Sequence, residues 1–209
     1  IDSLKKILLK SKDDTTKVKV LNDLSYQCNF FDQQQALIHS EKAIALAEKL
    51  NYALGRSMAY SNKANTLRKF GQPKEALEIY HRLLKEDNQL GLYGRVALDH
   101  NNIGVVLFDL GMSDKALIHY LEAVKYFERV SDKKRMAFLY SNIGNLLITR
   151  NNKPEALKYY KKSLELSTLL NDRYVIAETE MNLGIYYMRD SMNTALKHFL
   201  KADSIFSDL

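Results

Sequence analysis

Asparagine recurs at every fortieth position in this chain of 209 residues, as Asn22, Asn62, Asn102, Asn142 and Asn182. A carboxamide carries two N–H donors and one oxygen acceptor, so it can bond the N–H and the C=O of a peptide backbone together. Helix interiors disfavour asparagine by roughly half a kcal/mol. Five asparagines at the same position of the repeat therefore predict a row of hydrogen-bonding groups along one surface. Such a row is suited to binding a ligand and not to catalysis.

Residue patterns that would indicate catalysis or metal binding are not found in the sequence. The histidines show no metal-ligand spacing, and the single cysteine, Cys28, allows no intrachain disulfide. No glycine-rich phosphate loop, Ser/His/Asp set or close carboxylate pair is present. We expect no catalytic residue, no metal and no cofactor, and any enzymatic activity would lie outside this fragment. The histidines are His39, His81, His100, His119 and His198.

The composition favours a helical chain that binds no nucleic acid. Hydrophobic residues make up 46%, and there are only 8 Gly and 2 Pro. The formal net charge is +6, but basic and acidic residues alternate, which is typical of solvated helix faces. Tyr80, Tyr120 and Tyr160 recur with the period of the asparagines, so we interpret them as packing residues and not as a base-stacking platform. No apolar run is long enough to span a bilayer, and direct membrane insertion is not expected.

Small residues define the elements that position the asparagines. An alanine lies fourteen positions after each of the first four asparagines, at Ala36, Ala76, Ala116 and Ala156, and Ala195 lies thirteen positions after Asn182. Small side chains on facing helices let two backbones approach closely. Gly71, Gly111 and Asn151 are typical of the left-handed residue that ends a helix. Each repeat is therefore predicted to be a helix, a tight turn and a second helix.

The predicted organisation is a single array over residues 1–209. A capping helix lies within residues 1–12, and the repeats span about 14–50, 53–90, 92–130, 133–170 and 173–209. First helices are predicted at 14–30, 53–70, 92–110, 133–150 and 173–189. Second helices are predicted at 33–49, 73–88, 113–130, 153–170 and 192–207, with the N-terminal helix at 3–11.

The repeat resembles the tetratricopeptide repeat, in which aromatic, Leu, Gly and Ala residues recur at fixed spacings. The best match is the fourth repeat, with Tyr140, Ile143, Gly144, Leu147, Ala156 and Tyr160. The resemblance covers roughly residues 14–207. It implies an all-α fold, a right-handed α-solenoid of about five helix-turn-helix units with a short N-terminal helix, that holds a peptide or protein segment on its concave surface.

Two segments resemble bacterial signalling proteins more narrowly. SNIGN at 141–145 and EALKYYKKSLEL at 155–166 are similar to the sensor regions of Bacteroidetes histidine kinases and related regulators. The resemblance implies the sensory or interaction domain of a longer signal-transduction protein. It favours a periplasmic location in a membrane-anchored sensor, with a cytoplasmic location as the alternative.

Helical phase predicts which side chains line the groove. Residues at offsets of minus four, zero, three and seven from each asparagine share one stripe of the first helix, away from the partner helix. We term these residues the amide stripe. The predicted ligand-binding residues are Asn22, Asn62, Asn65, Asn102, Asn142, Asn145 and Asn182, with apolar pockets near Phe108, Phe138 and Met181.

Two alternatives stay open beside peptide binding. The asparagines could instead bond to the adjacent repeat, which would make them packing residues. The whole array could also be a spacer or a self-association module that forms a homodimer through its terminal helix. A clamp for a C-terminal carboxylate is disfavoured, because no lysine precedes the asparagines; the preceding residues are Leu21, Ser61, Asn101, Ser141 and Met181.

Overall fold

The computed structural model describes the backbone of residues 1–209 and the side chains of residues 1–9 and 11–209. Over this backbone the chain forms eleven α-helices and no strand, as predicted. Every predicted helix is present, and no end differs from its prediction by more than two residues. The helices are α1 (Asp2–Lys10), α2 (Thr15–Cys28), α3 (Gln33–Lys49), α4 (Ala53–Lys69), α5 (Pro73–Gln89), α6 (Tyr93–Asp109), α7 (Ser113–Arg129), α8 (Lys133–Thr149), α9 (Lys153–Leu169), α10 (Arg173–Tyr187) and α11 (Met192–Ser207).

The turns repeat with half the period of the asparagines. A residue with positive φ ends a helix at every twentieth position, at Asn51, Gly71, Gly91, Gly111, Ser131, Asn151 and Asn171. Each of the helices α3 to α9 has 17 residues. After α3 the Tyr52 amide donates to the Ala47 carbonyl at 2.8 Å, a bond that closes a left-handed helix end. The predicted helix ends at Gly71, Gly111 and Asn151 are thus confirmed.

The helices group into two compact units, an N-terminal unit of residues 1–110 and a C-terminal unit of residues 111–209. In the N-terminal unit the first helices α2, α4 and α6 lie side by side, and α3 and α5 pack against them. In the C-terminal unit α8 pairs with α9 and α10 pairs with α11, while α10 also contacts α8 and α9. Within the described side chains and backbone, no helix combines the length and apolar character needed to cross a lipid bilayer.

Small residues hold the helix pairs close, as the sequence predicted. The alanines at 36, 76, 116, 156 and 195 are fully buried. At Gly144 an added Cβ would lie 2.5 Å from Cε1 of Tyr160, and at Gly184 it would lie 2.4 Å from Cε1 of Phe199. An aromatic ring of the second helix therefore rests directly on the backbone of the first helix, where any side chain would collide with it.

Candidate functional site

The asparagines of the N-terminal unit connect neighbouring first helices. The Asn22 amide nitrogen donates to the Gly55 carbonyl of α4 at 3.1 Å. The Asn62 amide nitrogen donates to the backbone carbonyl of Asn22 at 2.9 Å and to its side-chain oxygen at 3.2 Å. Asn102 on α6 donates to the Ser61 hydroxyl at 3.3 Å and accepts from Asn101 at 3.2 Å. These bonds form a ladder between repeats, which we term the amide ladder.

One bond of the same kind connects neighbouring first helices in the C-terminal unit. Asn182 on α10 donates to the Ser141 hydroxyl of α8 at 3.0 Å. The side-chain oxygen of Asn145 accepts the Tyr160 hydroxyl at 2.7 Å, so this asparagine is tied to the second helix of its own repeat. Asn142 lies half-buried on α8. The packing role considered for the asparagines therefore applies to four of the five, and in three of these, Asn62, Asn102 and Asn182, it coexists with partial exposure.

The amide stripe of the first repeat is closed, which corrects the prediction that it lines an open groove. Asn22 is only 2% exposed, and Val18, Ser25 and Asn29 are also buried. The cause is the close approach of α2 to α4: a Cβ on Gly55 would lie 2.7 Å from Cγ1 of Val18. Asn22 is therefore a packing residue in this arrangement.

The stripes of the later repeats keep an accessible surface. In the N-terminal unit, Asn62, Asn65, Asn102 and Phe108 are half-buried. In the C-terminal unit, Phe138, Asn142, Asn145 and Asn182 are half-buried. An amide that donates one N–H to a neighbouring repeat still has a second N–H and an oxygen with which to bind a ligand. Each unit thus presents its own segment of polar groups, of which Asn62, Asn102 and Asn182 are already held in place by the ladder.

A basic corner closes one end of the stripe in the N-terminal unit. Arg68 on α4 pairs with Asp109 on α6 at 2.5 Å, and the Lys69 ammonium lies 4.0 Å from the centroid of the Phe30 ring. Burial, followed by the neighbouring Arg68 charge, lowers the pKa of Lys69. The Nε of Arg68 is buried without a partner among the described side chains. This corner therefore places an exposed positive charge, on Lys69, beside a partly buried one, on Arg68, where an anionic group is favoured.

A single acid marks the stripe of the C-terminal unit. At the offset of minus four the first four repeats carry Val18, Met58, Leu98 and Phe138, whereas the fifth repeat carries Glu178. Glu178 is half-buried and its Oε2 is buried without a partner among the described side chains. Burial raises the pKa of Glu178. A donor group from a bound partner would relieve this unmet hydrogen bond.

The described residues bring together no set of three or more side chains suited to hold a metal ion. The acceptors Ser61 and Ser141 were not predicted as members of the ladder. They lie two repeats apart, and each comes one position before an asparagine of the recurring set. This spacing is the sequence signal from which the two serines could have been predicted as acceptors.

Family models and solved structures agree with this architecture. Two models described as tetratricopeptide repeat match residues 59–92 and 95–168, which together make up just over half of the chain. No curated protein matches the sequence.

Several solved structures share the fold at low sequence identity. The apo form of RapI is 20% identical with a TM-score of 0.76, and the match covers 98% of this chain and 76% of RapI. A Rap protein complexed with competence and sporulation factor is 15% identical with a TM-score of 0.83. The Rap conjugation gene regulator of plasmid pLS20, in complex with the Phr* peptide, is 18% identical with a TM-score of 0.81. In both complexes the match covers 98% of this chain and 58% of the other chain. These likenesses establish the α-solenoid fold of repeated helix pairs.

Proposed function

Because this chain belongs to the tetratricopeptide-repeat family, we propose that it is a binding scaffold that holds an extended peptide or a partner helix along the amide stripe. The observation that carries the proposal is the state of the later asparagines. Asn62, Asn102 and Asn182 are half-buried, and the amide ladder fixes their orientation before any ligand arrives. Preorganised groups bind more tightly, because less side-chain freedom is lost on association.

The donors and acceptors of the stripe suit a peptide backbone. Each hydrogen bond to the peptide backbone contributes a net free energy of about 0.5 to 1.5 kcal/mol. Because every peptide has the same backbone groups, a few such bonds would hold a segment with little sequence preference. Apolar contacts at Phe108 and Phe138 would supply selectivity. Glu178 would favour a basic side chain or an amino terminus near α10. Two fold relatives were solved with a factor or a peptide bound, which supports this class of ligand.

A role in bacterial signal transduction is the narrower form of the proposal. The segments at 141–145 and 155–166 resemble sensor regions of histidine kinases, and one fold relative is a conjugation gene regulator. In this role the scaffold would be the sensory or interaction domain of a longer protein, and catalysis would lie in another domain.

Selection of peptides from a random display library tests the proposal. Enriched peptides should bind the chain. Those that occupy the N-terminal unit should lose about tenfold or more in affinity, or ~1.4 kcal/mol, with Asn65→Ala, and those that occupy the C-terminal unit should lose as much with Asn142→Ala. These two residues have no described bond in the amide ladder, so the folded state should persist. Asn88→Ala on the exposed face of α5 is the matched control and should bind normally. Peptides that tolerate both stripe variants would refute the groove as the binding site.

A further inference from the structure

Glu178 is an acid of the amide stripe that the described side chains leave unsatisfied. It is half-buried, its Oε2 has no hydrogen-bond partner among them, and burial raises its pKa. Glu180, two positions further along α10, is buried as well, but its carboxylate lies 2.6 Å from Nδ1 of His198 and 2.6 Å from Nζ of Lys201. Helix α11 therefore supplies partners for Glu180 and leaves Glu178 to the groove.

An aromatic ring occupies the same offset on the neighbouring first helix. Phe138 on α8 is half-buried like Glu178 on α10, and the two helices are in contact. Packed helices lie about 8 to 10 Å apart, so one long side chain can contact both groups. A carboxylate binds a cationic head group through charge-assisted hydrogen bonds, and the face of an aromatic ring attracts a cation within about 6 Å. The pair therefore suits a cationic side chain better than a neutral one.

This offset stays accessible in repeats that have a following repeat beside them. Phe138 is half-buried although α10 packs beside α8, and Met58 is half-buried although α6 packs beside α4. A basic residue of the following repeat does not take the place of a ligand there: Arg95 on α6 donates to the Ser57 hydroxyl at 3.0 Å and to the Ser57 carbonyl at 3.4 Å, one position before Met58. Partial exposure at the offset of Glu178 is therefore a property of inner repeats too.

We propose that Glu178 and Phe138 form a subsite of the amide stripe for a lysine or arginine side chain of the bound peptide, and that Glu178 sets this specificity. The inference rests on the proposed function, since the subsite lies one helical turn from Asn142 on the same stripe. The carboxylate accepts hydrogen bonds from the basic head group, and the ring contacts the same cation. The preference is confined to the C-terminal unit, because the N-terminal unit carries apolar residues at this offset. They are Val18, Met58 and Leu98.

N-acetylated synthetic copies of the enriched peptides test the subsite, because acetylation removes the amino-terminal charge. Peptides that lose affinity with Asn142→Ala occupy the C-terminal unit, and they should contain a lysine or an arginine. Replacing that residue by methionine, or introducing Glu178→Gln, should each lower the affinity about tenfold or more, as measured by fluorescence anisotropy. Glu165→Gln is the matched control. It removes the same charge from the exposed face of α9 and should leave the affinity unchanged.

The two changes should not add, because both remove the same interaction. With Glu178→Gln in place, the original peptide and its methionine version should bind within about twofold of each other. Additive losses would overturn the subsite, as would an unchanged affinity in Glu178→Gln for peptides that respond to Asn142→Ala. Either result would leave the proposed function intact. If no enriched peptide responds to Asn142→Ala, the groove of the C-terminal unit fails as a binding site and the subsite fails with it.

Phe138→Leu separates the aromatic face from apolar contact. Leucine keeps an apolar side chain at the site but offers no ring to a cation, so the affinity for the basic peptide should fall about two- to fivefold while the methionine version binds as before. Equal losses for both peptides would assign only apolar contact to Phe138 and would overturn its part in the subsite. Circular dichroism checks that each variant keeps its helix content.

Discussion

Two junctions between neighbouring repeats differ in the chemistry of their buried side chains. The four positions compared are the same in both, 80 residues, or two repeats, apart. Between the second and third repeats the positions hold Ser57, Asp87, Arg95 and Asp99; between the fourth and fifth they hold Ala137, Ser167, Val175 and Thr179. We term them the charged junction and the neutral junction. Each lies within a single compact unit, so the comparison separates the effect of side-chain chemistry from that of helix geometry.

The charged junction leaves a carboxyl group without a close partner. Arg95 donates to the Ser57 hydroxyl at 3.0 Å, and Ser57 donates to Asp87 at 2.5 Å. Asp99 is fully buried, its nearest basic nitrogen on Arg95 is 4.0 Å away, and both of its oxygens have no hydrogen-bond partner among the described side chains. Burial raises the pKa of Asp99 to about 8, and Asp87 adds to the rise while Arg95 opposes it.

The neutral junction satisfies its polar groups with hydroxyls. Ser163 donates to the Ala137 carbonyl at 2.8 Å and lies 2.9 Å from the Thr179 hydroxyl, which donates to the Val175 carbonyl at 2.8 Å. None of these groups titrates near neutral pH. One repeat geometry therefore accommodates either chemistry, but only the residues of the charged junction include groups that titrate.

Replacing Asp99 should have the largest effect. Its pKa is about 8 in the folded chain, against 3.8 for an unperturbed aspartate, so the folded state keeps a proton that the unfolded state releases. Stability should therefore fall as pH rises from about 4 to about 8, and then level off. Asp99→Thr, which copies the neutral junction, should remove most of this slope and gain up to about 6 kcal/mol above pH 8, since one pKa unit corresponds to about 1.4 kcal/mol. Urea unfolding across this pH range is the measurement, and an unchanged slope in the variant would contradict the assignment.

Gly144→Ala should have the next largest effect, because it tests the close packing beside the neutral junction. The new methyl group would collide with the Tyr160 ring, and overpacking costs about 1 to 3 kcal/mol. Gly94→Ala is the matched control beside the charged junction. Gly94 is helical with no atom within 4 Å of an added Cβ, so it should gain about 0.5 to 1 kcal/mol. Thermal unfolding of both variants checks the opposite signs, and equal signs would show that the contact does not exist.

Ser163→Ala tests the hydrogen bonds of the neutral junction. The variant loses a donor to the Ala137 carbonyl and a partner of Thr179, which should cost about 1 to 2 kcal/mol. Because no charge is involved, the loss should be the same at every pH in the unfolding series. A loss that grows with pH would mean that the neutral junction hides a titrating group.

Asn171→Gly should have the smallest effect. Asn171 and Gly91 precede the first helices of the two junctions, with φ of 52° and 67°. Asparagine tolerates this left-handed conformation less well than glycine does, so the variant should gain a few tenths of a kcal/mol. Chemical unfolding of the variant beside Gly91→Ala, which should lose stability, checks the sign. A loss in Asn171→Gly would indicate that the asparagine side chain stabilises its turn.

The helices were well predicted because their signals are local and periodic. Left-handed residues such as Gly71 and Asn151 mark the helix ends, and small residues such as Gly144 and Ala156 mark where two helices meet. The contacts between neighbouring repeats are different, because they depend on how far apart the helices lie. The sequence of a single helix does not determine that distance. The burial of Asn22 follows from the approach of α2 to Gly55, and the burial of Asp99 follows from the stacking of three helices. These two features could not be predicted from the sequence.

The amide stripe shows the same limit at the candidate site. The regular spacing of the asparagines predicted a shared surface, and the structure shows a ladder of bonds along it. Which asparagines stay accessible depends on how closely the first helices approach each other. Asn62, Asn102 and Asn182 remain half-buried, whereas Asn22 is sealed.

A crystal structure of the chain with a selected peptide tests the central claim most directly. The account predicts a peptide backbone within hydrogen-bond distance of at least two half-buried asparagines of the stripe, with the bonds of Asn102 to Ser61 and of Asn182 to Ser141 retained. A peptide seated on the outer faces of the second helices, away from every one of these amides, would contradict it.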